Sequence, residues 1–135
     1  MAWLKGPIVD GTVFCNKPSR GYFPRATAKT ASYTVKASEC GSLFTNAGAT
    51  GAVTFTLPAK EDGLCYWFLV AADYDVVIAA DAINTVVTFN NNSTADSVEF
   101  STSSQKIGGM VFAYSDGTYW YLINLSTNTL TVNTS

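Results

Sequence analysis

From Thr30 onward, apolar and polar residues alternate with a period of two, and β-branched or aromatic side chains dominate. The clearest case is Val53-Thr54-Phe55-Thr56-Leu57, where Val53, Phe55 and Leu57 share one face, the threonines take the other, and Pro58 ends the strand. The same pattern predicts strands near residues 32–36, 52–57, 65–71, 76–80, 85–90, 97–101, 109–114, 118–124 and 129–132. Between two aromatic strands, Asp116-Gly117 predicts a tight hairpin with both turn residues at positive φ, which makes those strands antiparallel neighbours. No long helical period occurs, and a single turn around residues 37–40, closed by Gly41, is the one helical piece expected. Many short strands at intervals of about 8–12 residues predict an all-β fold, a β-sandwich or jelly-roll-like barrel.

The first 29 residues break this pattern. Pro7, Pro18 and Pro24, with Gly6, Gly11 and Gly21, deny them a regular ladder, so they are predicted to form an extended N-terminal arm ahead of a β-domain at residues 30–135. Yet the arm carries Trp3, Ile8, Val13, Phe14, Tyr22 and Phe23, more apolar surface than a solvated linker needs, and it is expected to dock on something. Its charge is distinct as well. Lys5, Lys17, Arg20, Arg25 and Lys29 stand against Asp10 alone, a net of +4, whereas residues 30–135 hold three lysines against nine acids, a net of −6.

Composition narrows the function classes. The chain has 135 residues, the size of one domain with a core of its own. Only 13% of residues are charged against a usual quarter or so, which suggests that part of the surface is covered by a partner. The longest apolar run, residues 64–72, falls short of the roughly 20 residues needed to cross a bilayer and stops at Asp73 and Asp75, so a soluble protein without membrane contact is expected. The first residues lack a basic region followed by an apolar stretch, so no secretory signal is expected and the chain should fold in the cytoplasm where it is made. The three cysteines, Cys15, Cys40 and Cys65, are widely spaced, and there is no histidine; a disulfide framework and a zinc site are both disfavoured, and buried thiols in a reducing compartment are expected. No cofactor is expected.

Candidate chemistry is sparse. Without histidine, the usual activation of a serine or cysteine nucleophile is missing, and acid–base work would fall to carboxylates, lysine or tyrosine. Glu61 and Asp62, between Pro58 and Gly63, read as a solvated turn. Asp73 and Asp75 flank Tyr74 and read as a turn, with calcium binding or a carboxylate-dependent glycan hydrolase as alternatives. In Tyr119-Trp120-Tyr121 the tyrosines point one way and the tryptophan the other, so one set is core or subunit contact, and a sugar platform is the alternative. The basic, aromatic arm has the makings of a nucleic-acid contact, but the acidic body favours an acidic protein lattice as its target. The expectation is therefore a structural or binding protein, not an enzyme.

The stretch Gly41-Ser42-Leu43-Phe44-Thr45-Asn46-Ala47-Gly48-Ala49-Thr50-Gly51, the strand end Thr56-Leu57-Pro58 and the late Gly117-Thr118-Tyr119-Trp120 resemble, in that order, a β-domain recurring in tailed-bacteriophage structural proteins. That group carries a "G-x-L-F-T-N-x-G-A-T-G" opening, a "T-L-P" strand end and a "G-T-x-W" hairpin. The resemblance covers roughly residues 30–125 and implies a virion component, found on head decoration or cement proteins, head fibres and tail-associated proteins, and a homotrimer. On this footing the expected role is a capsid decoration (cement) protein on the capsid surface of the virion, binding the major capsid protein. Trp3, Tyr22 and Phe23 would be the arm's anchors, and Lys5, Arg20 and Arg25 would pair with capsid acids. A fibre or receptor-binding module touching host glycans is the alternative.

Overall fold

A computed structural model of the protein describes residues 25–89 and 94–135, together with the backbone of residues 8–9 and 12–13. Thirteen strands form in the described residues: β1 (Ile8–Val9), β2 (Thr12–Val13), β3 (Ala26–Ala28), β4 (Tyr33–Thr34), β5 (Leu43–Thr45), β6 (Val53–Thr56), β7 (Cys65–Leu69), β8 (Val76–Ala79), β9 (Val86–Val87), β10 (Ser97–Phe100), β11 (Met110–Ser115), β12 (Trp120–Asn124) and β13 (Thr131–Asn133). They make a β-sandwich. One sheet has the order β3-β5-β7-β11-β12-β9, the facing sheet β13-β10-β8-β6-β4, and β1 and β2 form a two-stranded sheet.

From β3 to β8 the chain changes sheet at every strand, so β3, β5 and β7 are parallel neighbours in one sheet and β4, β6 and β8 in the other. Parallel strands require a crossover, normally a helix. Here each crossover is a strand of the opposite sheet, so the first half of the domain winds like a short coil. The second half closes with antiparallel pairs, β7-β11-β12 on one side and β8-β10-β13 on the other.

Between the sheets lies an aromatic core. Phe44, Phe55 and Phe68 meet across the gap with ring centroids 5.1–5.8 Å apart, and Tyr66 packs on Trp120 at 6.0 Å. Val53, Leu57, Val76, Ile78, Val98, Phe100, Val111, Ala113 and Leu122 complete it. The alternation read in residues 53–57 holds, with Val53, Phe55 and Leu57 buried.

Three expectations are corrected. The leader is not without ladders: β1 pairs with β2, and Ala26–Ala28 joins the six-stranded sheet as its edge strand beside β5. Leu43–Thr45, which the alternation did not predict as a strand, is one, held parallel to β7. At the β11–β12 turn only Gly117 has positive φ, at 89°, because Asp116 folds back instead: its Oδ1 accepts from the backbone N–H of Thr118 and of Tyr119, each at 2.8 Å. The helical turn expected near residue 37 is a 3₁₀ turn, Ala37–Glu39, with Gly41 at φ 86° beyond it.

Candidate interface

The motif that carries the family resemblance does structural work. Asn46 is fully buried at the end of β5, where its Oδ1 accepts from Ala71 N (2.7 Å) and Ala72 N (2.9 Å) while its Nδ2 donates to Ala72 O (3.0 Å). The side-chain amide thus imitates a peptide group and extends the β5–β7 ladder past the last backbone pair. Gly48 then takes φ 81° to turn the chain toward β6.

The two sheets differ sharply on their outer faces. On the five-stranded sheet, cross-strand rows read Thr54–Val77–Glu99–Thr131 and Thr34–Thr56–Ala79–Ser97–Asn133, a surface built to meet water. On the six-stranded sheet they read Leu43–Trp67–Phe112–Ile123 and Cys65–Tyr114–Tyr121–Val87, with Leu69 beside Met110. No charged residue interrupts these rows. Trp67 and Phe112 pack against each other with their rings tilted by 45° and centroids 5.0 Å apart, and Ile123 remains 49% exposed.

Acids trim one end of this face. Tyr121 donates to Asp116 Oδ2 at 2.8 Å and Tyr114 to Asp62 Oδ1 at 3.3 Å. The hydrogen bond to Asp116 pushes the Tyr121 phenol up, and the Asp62 charge does the same to Tyr114, so both hydroxyls stay neutral donors. The N–H groups of Tyr119 and Thr118, then the Tyr121 hydroxyl, hold Asp116 below the usual carboxylate range. Beside β9, Val87, Phe89, Phe112, Tyr114, Tyr121 and Ile123 line an open apolar hollow of about 530 Å³. Phe89 reaches it with φ 52°, an unfavourable conformation for a bulky residue, and stays 63% exposed.

Among the residues singled out in the sequence, Arg25 is exposed at the start of β3, and its carbonyl accepts from Leu43 N at 3.3 Å. Trp3, Lys5, Arg20, Tyr22 and Phe23 lie outside the described residues. Trp120 is core, its indole N–H donating to Pro58 O at 3.3 Å, while Tyr121 is on the outer face. Asp73 is exposed, and Asp75 pairs with Lys106 at 2.7 Å, a lysine whose charge both carboxylates favour. Among the described residues no group of three histidine, cysteine or acidic side chains could hold a metal ion, and no helix is long and apolar enough to cross a membrane. The expectation of buried thiols is corrected for two of the three cysteines: Cys40, just after the 3₁₀ turn, is exposed, and Cys65, in the outward set of β7, is half-buried.

The outer face escaped the sequence reading, although it left a signal. Residues 65–69 and 110–114 run nearly unbroken in apolar side chains, as strands covered on both faces do. No protein-family model matches the chain, and no curated protein matches it.

Proposed function

We propose that the chain is a structural subunit that works by burying the outer face of its six-stranded sheet against a second copy of itself within a larger assembly. In the setting its motifs resemble, that is a capsid decoration protein reinforcing a phage head. The contrast between the two outer faces carries this reading: one sheet presents threonines and Glu99, the other tryptophan, phenylalanine, tyrosine and isoleucine without a charge.

The size of the face adds a condition. With strands about 4.8 Å apart and outward side chains about 6.8 Å apart along each strand, its footprint is roughly 300–400 Å². Two such faces would bury about 600–800 Å² in all, short of the roughly 1,200 Å² at which specific complexes become stable. The leader supplies the balance. It leaves the sheet at Ala26, which pairs with Leu43 at the head of the Leu43–Trp67–Phe112–Ile123 row. In this reading the arm lies across the seam between subunits, Trp3, Tyr22 and Phe23 act as anchors, and Lys5, Arg20 and Arg25 meet acids of the shell.

The test is the mass of the purified protein by light scattering, alone and with capsids assembled without it. An oligomer that binds those capsids and raises their melting temperature supports the reading: a dimer if two such faces meet each other, or the trimer that the resemblance implies if each face meets a different surface of its neighbour. Ile123→Glu should reduce it to a monomer with an unchanged circular dichroism spectrum, and a wild-type protein that is monomeric and ignores capsids refutes it. The aromatic hollow at Phe89, Phe112, Tyr114 and Tyr121 favours one second reading, a glycan-binding module. Glycan-array binding that is lost in Tyr121→Ala would support that instead.

A further inference from the structure

Cys40 and Cys65 are brought together by the coil of the first half of the domain. Cys40 follows the 3₁₀ turn at Ala37–Glu39, and the next residue, Gly41, donates its N–H to Cys65 O at 2.7 Å. The Cys65 N–H in turn points at Cys40 Sγ, 3.3 Å away, and that sulfur lies 3.7 Å from Gly63 O. Paired strands stand about 4.8 Å apart, so these contacts put the two Cα atoms on the order of 6 Å from each other, inside the roughly 4.4–6.8 Å span of disulfides. Solvent reaches both thiols, Cys40 more than Cys65.

We propose that Cys40 and Cys65 form an oxidisable dithiol, a modification site that takes a low-molecular-weight disulfide such as oxidised glutathione and closes to an intramolecular disulfide. The more exposed Cys40 loses its proton to solvent and attacks one sulfur of the oxidant, breaking its S–S bond and releasing one thiolate. The Cys65 sulfur, after giving up its proton, displaces the second thiol from Cys40. Two protein S–H groups are oxidised to one S–S bond, and one small disulfide is reduced to two thiols. Burial, and then the neighbouring Cys40 sulfur, push the Cys65 thiol up, so the more exposed Cys40 begins the exchange and the closing step quickens as pH rises.

The bond would tie residues 25 positions apart across β5 and β6, strands of both sheets. Closing such a loop restricts the unfolded chain and should raise the melting temperature by roughly 5–15 °C. In a reducing cytosol the pair would stay open, and it would close once the protein reached an oxidising medium. This inference rests on the cysteine geometry, but Cys65 stands in the Cys65–Tyr114–Tyr121 row of the outer face, so the exchange belongs to the subunit before that face is covered. Oligomer mass and thiol titration read the two proposals separately.

The test uses the full chain, exposed to oxidised glutathione and then returned to dithiothreitol. Of the three cysteines, two should disappear from a thiol titration, peptide mapping should find Cys40 joined to Cys65, and the melting temperature should rise and then fall back. Cys15→Ser should behave like the wild type, while Cys40→Ser and Cys65→Ser should not gain stability. A glutathione adduct that persists on Cys40 without closing, or disulfides formed only between chains, overturns the proposal.

Discussion

Replacing Asn46 by alanine tests the reasoning that binds the sequence motif to the fold. The side chain is fully buried and makes three hydrogen bonds, two accepted from Ala71 N and Ala72 N and one donated to Ala72 O. A made hydrogen bond contributes about 1 kcal/mol net, and a buried donor left without a partner costs about 1–3 kcal/mol. Ala71 is exposed and Ala72 half-buried, so water can reach part of what the truncation uncovers. The expected loss is therefore about 2–4 kcal/mol, not the sum of the full penalties. In urea, with a slope of about 1–3 kcal/mol per molar, the unfolding midpoint should fall by roughly 1–2 M. Asn128 is the control, since its Nδ2 donates to Gln105 O at 2.9 Å and Ile107 O at 3.0 Å at the surface. Asn128→Ala should cost under about 1 kcal/mol, near the range of ordinary surface changes. If the two substitutions cost the same, the amide of Asn46 is not extending the β5–β7 ladder and the account of the motif fails.

Two further outcomes follow from particular contacts. Gly109→Ala should destabilise the fold by about 1–3 kcal/mol in the same urea assay, because an added Cβ would stand 2.7 Å from two ring carbons of the fully buried Phe100; a neutral result would mean the core there is loosely packed. Asp116 is held below the usual carboxylate range, so its contribution to the β11–β12 turn is complete above that range and is lost as pH falls through its lowered value. The backbone amide resonances of Thr118 and Tyr119 should titrate with a midpoint below about 3.9, and a midpoint at or above that value would refute the turn's charge-assisted bonds.

The amino-acid sequence by itself determined the class of fold and most of its segments. Period-two alternation is a local property, and Val53, Phe55 and Leu57 could be assigned to one face without knowing what they pack on. Turn chemistry is local too, which is why Gly41 and Gly117 marked real chain reversals. Leu43–Thr45 was missed because three residues between turn formers are too short to show a period, and what makes them a strand is the parallel ladder to β7, remote in sequence.

Only the tertiary structure decided which alternate set faces inward where both sets are apolar. In β11 the small residues Val111, Ala113 and Ser115 are buried and the large Phe112 and Tyr114 point out, the reverse of what hydrophobic size alone suggests. Trp120, Tyr66 and Phe68 already fill the space between the sheets, so small side chains complete the packing and the aromatic ones are left on the outer face. The candidate interface and the meeting of Cys40 with Cys65 share that origin. Period is written in neighbouring residues, whereas phase, volume and the pairing of distant strands exist only once the chain has folded.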